Sequence, residues 1–171
     1  MTNAARLVLA DCEIAADMLE EERDDGSWRI LWVGSIALLR AVGHVLHKID
    51  GRHPPCRGAA NAAFKVWKGD ALEHAIFREF VENERNNVLK AYEFNVHPSN
   101  VVTLAFTGPH GSSEVASIDG DLYRPIEDGY GSGVDARDIY REAIAWWRKE
   151  LDLIDHVVRA EEEGGPQKKP S

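Results

Sequence analysis

Residues 28–49, WRILWVGSIALLRAVGHVLHKI, carry Trp28, Leu31, Trp32, Leu38, Leu39, Val42, Val45, Leu46 and Ile49 around most of a helical circumference. A helix apolar on nearly every side is packed by neighbours on several sides, so this stretch predicts a mainly α protein with residues 28–49 at its centre. Arg40, His44, His47 and Lys48 interrupt it as a membrane span. Gly34, Ala37, Ala41 and Gly43 are small and predict close approach of another backbone.

Working outward, residues 4–23 read as a first helix with Leu7, Ile14 and Met18 on its core face and Asp11, Glu13, Asp17 and Glu20-Glu21-Glu22 elsewhere. Ser27 is the expected cap of the central helix. After His53-Pro54-Pro55, residues 59–68 suggest a short helix, and residues 71–95 a third long one with Asp70 at its start and Leu72, Ile76, Phe80, Val88 and Leu89 helically spaced. Two β-rich runs, VVTLAFTG and SSEVASID, flank Pro109-His110-Gly111 and predict a hairpin. The Gly-rich stretch 128–133 reads as a flexible connection to a last helix, 135–160, with Trp146 and Trp147 on a broad apolar face. The expected architecture is an antiparallel bundle of four long helices, a single domain over 1–160, with a small β-hairpin insertion at about 99–125 between helices three and four. Residues 161–171 are expected to be a disordered tail.

The chain has 171 residues, one domain's length, and a formal charge of −9. That charge favours solubility and confines any RNA contact to a local basic patch. With no stretch both long and uncharged enough to span a bilayer, and no signal-peptide core before Asp11, the expected location is the cytoplasm, with no membrane role. Cys12 and Cys56 are expected to be free thiols there.

FREFVENERNNVLKAYEF, residues 77–94, puts Arg85, Asn86, Lys90 and Tyr92 within two helical turns. Arg85 and Tyr92, seven apart, project from nearly the same side of an α-helix, and Asn86 and Lys90 are one turn apart. Guanidinium, amide, amine and phenol all donate hydrogen bonds and suit a phosphate or a developing phosphorane charge. The same residues also read as an ordinary solvated face, with Glu82, Glu84, Arg85 and Lys90 in water and Tyr92 at the core's edge.

This order resembles the HEPN superfamily, small helical-bundle proteins of bacterial toxin–antitoxin and defence systems. Arg85, Asn86 and Tyr92 stand where the family's Arg, adjacent polar residue and Tyr fall, and Lys90 stands where its catalytic His belongs. The resemblance implies a bundle of four or five helices, a homodimer with its motif helices facing across a cleft, an antitoxin or nucleotidyltransferase partner, and metal-independent ribonuclease activity without a cofactor. Arg85 would contact phosphate, Asn86 orient it, Lys90 replace His, and Tyr92 complete the cleft or accept modification by a partner enzyme. Lysine starts mostly protonated at neutral pH and makes a poor base unless its pKa is depressed. The resemblance therefore implies either an altered nuclease or a catalytically degenerate relative. His97 lies outside the family's spacing and would substitute only if the helix end folded back.

Arg40, His44 and His47, at i, i+4 and i+7, form one stripe on the central helix, suited to an RNA-binding or dimer cleft. His44, His47, His53 and Cys56 are potential zinc ligands, but their spacing matches no finger and no metal is expected. Ser112-Ser113 near His110 reads as a turn, and 129–133 lacks the Lys-Ser/Thr ending of a phosphate loop. The alternative function is a non-catalytic protein–protein interaction module with no nucleic-acid role, binding through the acidic first and apolar second helices. The five tryptophans read as core and interface mass.

Overall fold

The structure, a computed structural model, describes residues 1–96, 101–107, 113–119 and 123–164. They are mainly helical: α1 (Asn3–Glu21), α2 (Asp25–Lys48), α3 (Pro54–Trp67), α4 (residues 76–91) and α5 (Ala136–Gly164), with strands β1 (Val101–Thr107) and β2 (Ser113–Asp119) between α4 and α5. The strands pair antiparallel, Val101 opposite Asp119 and Thr107 opposite Ser113. Pro98, His97 and the segment around Pro109, His110 and Ser112 lie outside the described residues. So do residues 165–171, while residues 161–164, expected in a disordered tail, continue α5.

Buried apolar side chains form one cluster drawn from all five helices. All five tryptophans belong to it, including Trp32 and Trp147, which are fully buried, so a contact with another chain falls to other residues. The 25–52 stretch around α2 is long and apolar enough to cross a membrane by length and composition, contrary to the sequence expectation. In the structure, α2 turns Trp28, Trp32, Ile36, Leu39, Val42 and Leu46 into the core. Its cap is Asp24, whose carboxylate accepts from the Ser27 amide at 2.8 Å. Ser27 was the expected cap, but Asp24 starts the helix one turn earlier. Gly43 makes room for a side chain where a backbone was expected: a Cβ there would lie 3.0 Å from Cη2 of Trp147.

α1 reverses its expected face. Ala5, Leu9, Cys12, Ala15, Ala16 and Leu19 are buried, whereas Leu7, Ile14 and Met18 are exposed. Small residues let α1 lie close to its neighbours, and burial there follows fit more than side-chain size. Ion pairs from α5 fasten its outer edge: Arg148 to Glu13, Arg141 to Asp17 and Glu20, and Arg6 to Asp152 and Asp155. Its first turn is capped from a distance, because Asp50 accepts from the amides of Ala4 and Ala5 at 3.0 and 2.9 Å.

α3 begins five residues before the expected 59, since Pro54 and Pro55 occupy its first turn, where a missing amide costs nothing. The 123–135 segment is built, not a flexible connection. Gly133 donates to the Ile126 carbonyl at 2.8 Å and Ile126 to that of Val134 at 2.9 Å. Gly131 has φ +77°, and a Cβ there would lie 2.6 Å from Ile139, so glycine alone lets the loop lie on α5.

Cys12 and Cys56 are free and fully buried, and burial pushes the Cys12 thiol up to about 11. Neither should react with Ellman's reagent in the native protein at pH 8, and both should react once urea unfolds it. Rapid native labelling of either would contradict this packing.

Candidate cationic site on α2 and α4

α4 is not a uniform α-helix. Ile76–Glu82 and Asn87–Ala91 are π-helical and flank a single α-helical turn, Asn83–Asn86. The i→i+5 bonding of a π-helix puts more residues in each turn, so the seven residues from Arg85 to Tyr92 no longer close two turns. The helix ends on Tyr92 in the left-handed conformation, φ 57° and ψ 33°, the only positive φ at a non-glycine among the described residues. Tyr92 is exposed and packs edge-on against Phe94 at 4.9 Å.

Of the residues singled out on this helix, Arg85 is half-buried and donates to Oδ1 of Asn86 at 3.0 Å, while Lys90 and Tyr92 lie exposed at its C-terminal end. Glu84, expected in a solvated face, is instead buried. Its Oε1 accepts from the Trp32 indole at 3.1 Å. Burial raises its pKa, opposed by the hydrogen bonds from Trp32 and Asn95. The α-helical turn therefore anchors α4 through Glu84 and carries Arg85 to the surface beside α2.

There Arg85 meets the α2 stripe. Burial lowers the His44 pKa below its ordinary value, and the charges of Arg40, Arg85, Lys48 and His47 lower it further. Neutral imidazole thus stands among cations at pH 7. Arg40 reaches Glu82 at 4.0 Å, a carboxylate that Lys68 already holds at 2.6 Å. Arg40, His44 and His47 rim a cavity of about 260 Å³, with Phe64, Trp67, Phe77 and Trp147 among its walls. Cationic rim over aromatic wall is an arrangement that accepts a phosphate and a stacked ring together.

The structure thus brings Arg40, His44, Arg85 and Asn86 together and sets Lys90 and Tyr92 apart. His53 faces Glu162 at 3.4 Å and Cys56 is buried; among the described residues no three His, Cys, Asp or Glu side chains form a metal-binding group. Sequence reading missed Arg124, which is 1% exposed. Its guanidinium lies 4.6 Å from the Trp28 ring centroid and donates to Asp25 at 2.9 Å, fastening the glycine loop to the start of α2. No periodicity surrounds it that could have marked it.

No family model matches the chain, and no curated protein or solved structure shows significant similarity to it.

Proposed function

We propose that the protein is an HEPN-like, metal-independent ribonuclease of a bacterial defence or toxin–antitoxin type. In this reading it acts in the cytoplasm as a homodimer, an antiparallel four-helix bundle carrying β1 and β2 as a hairpin insertion. The observation that carries the proposal is the meeting of Arg40, His44 and Arg85 beside an aromatic-walled cavity on a chain of net charge −9. Local cations suit the phosphate backbone, and the aromatic wall suits a base.

The chemistry then runs without metal. Arg85, oriented by Asn86, binds the scissile phosphate. His44 takes the proton of the ribose 2′-hydroxyl, and the resulting oxygen attacks phosphorus to give a 2′,3′-cyclic phosphate. The 5′-oxygen leaves with a proton from Lys90, whose protonated amine suits an acid better than a base. Tyr92, exposed past the helix end, is placed for contact with RNA or for modification by a nucleotidyltransferase partner.

Cleavage of RNA in EDTA by wild type, Arg85→Ala, His44→Ala and Lys90→Ala tests this. Arg85→Ala and His44→Ala should each lose about a hundredfold in rate or more. Wild-type cleavage should climb with pH through a value below 6.5, as His44 loses its proton. Cleavage no faster than the Arg85→Ala background would sink the catalytic roles.

One observation favours a second reading, a protein–protein interaction module without a nucleic-acid role. Leu7, Ile14 and Met18 form an exposed apolar stripe on α1 beside Asp11 and Asp17. An antitoxin presenting a basic amphipathic helix would suit that stripe.

A further inference from the structure

On the other side of Trp67 from the cationic rim, a second cavity of about 330 Å³ opens between α3 and α5. Its mouth is apolar: Val66, Leu153 and Val157 line it and are 54%, 51% and 43% exposed. Two polar side chains also line it, His74 and Glu150, each 4% exposed. The Trp67 indole donates to Oε2 of Glu150 at 2.7 Å, while Oε1 is buried with no hydrogen-bond partner among the described residues.

His74 does not supply the missing donor. Trp146 donates to its Nδ1 at 3.3 Å, which places the imidazole proton on Nε2, 3.3 Å from Glu73 Oε1. Nδ1 stands 3.9 Å from Glu150 Oε1 without a proton to give it. A half-satisfied carboxylate in an apolar setting is costly, and native proteins rarely leave one so without a reason.

We infer that this cavity binds a small apolar organic cation, a primary alkylammonium, whose N–H groups complete Glu150 and whose hydrocarbon chain covers Val66, Leu153 and Val157. An ammonium brings both the donors and the charge that Oε1 lacks. The volume sits at the low end for ligand pockets and fits a short chain. Glu73 adds a second carboxylate at the mouth, and the cation on the wall, Lys149, is exposed and free to turn to solvent. The two cavities that share Trp67 thus select opposite charges.

The probe is n-hexylammonium, titrated against 1-hexanol and hexanoate while the indole N–H resonances of Trp67 and Trp146 are followed by NMR. Wild type should bind n-hexylammonium saturably, shifting the Trp67 resonance, with 1-hexanol at least about tenfold weaker and hexanoate not binding. Glu150→Gln, whose amide carbonyl still accepts from Trp67, should weaken n-hexylammonium by at least about tenfold. Equal affinity for the alcohol, binding of hexanoate, or no saturable shift with n-hexylammonium would each overturn the assignment. The comparison of ligands on wild type stands whether or not the variant folds.

Discussion

Trp32→Ala should leave little folded protein at 25 °C. Trp32 is fully buried, stacks on Trp28 at 5.3 Å, and touches Phe80 and Tyr140 at 6.1 Å each. Truncating a buried tryptophan costs about 3–5 kcal/mol. Here it also strips the donor from Glu84, and an orphaned buried acceptor adds about 1–3 kcal/mol. Domains of this size hold only about 5–15 kcal/mol in all. Trp32→Phe separates the two losses, since it keeps the ring and removes the indole N–H. We expect Trp32→Phe to lower stability by about 1–3 kcal/mol in urea unfolding, and Trp32→Phe with Glu84→Met to recover part of that loss. Costs that simply add would show that the hydrogen bond does not couple α2 to α4.

Asp155→Ala should cost about 3 kcal/mol, and it should also flatten the acid limb of the stability profile. Asp155 accepts from the Thr2 amide at 2.8 Å, the Thr2 hydroxyl at 2.9 Å, and Arg6 at 2.9 and 3.1 Å. It is 4% exposed and ties the start of α1 to α5. Burial works against its charge, but the bonds from Arg6 and Thr2 outweigh burial and depress its pKa. Asp135 is depressed in the same way, with Arg137 and the amides of Arg124 and Arg137 opposing burial. A depressed carboxylate stabilises the fold fully above its unfolded pKa of about 3.9, and loses that contribution as pH falls through the folded value. Glu84 runs the other way. Its raised pKa means the folded state takes up its proton first, so falling pH relieves the buried charge until the unfolded chain protonates too. Wild type should therefore hold or gain stability on mild acidification and lose it steeply below about pH 4. Urea midpoints at pH 7, 5 and 3 check this, and an equally steep acid limb in Asp155→Ala would remove Asp155 from the account.

The mainly helical class was legible because residues 28–49 are apolar on nearly every side and leave few other solutions. The face of α1 was not. Leu7, Ile14 and Met18 are its conspicuous apolar residues, but close packing selected the row through Ala5, Leu9, Cys12 and Ala16. At the site, Arg40, His44 and Arg85 were each visible as candidates, yet their meeting depends on how α2 crosses α4, which no local pattern encodes. Lys90 and Tyr92 were grouped with Arg85 by a period of 3.6, and the structure winds that stretch differently. Glu84 looked like surface because charge usually is, while its partner Trp32 lies fifty-two residues away.

That winding has a consequence for how the molecule can be re-aimed by insertion and deletion. In the 87–91 turn, loss of one residue such as the exposed Leu89 would restore α-helical bonding and rotate everything after it by about 100° relative to Arg85. A three-nucleotide deletion would thus swing Lys90 and Tyr92 around the helix in one step, while Glu84 stayed pinned under Trp32. The reading frame itself becomes the coarse adjustment of the cationic surface, with point substitution left as the fine one.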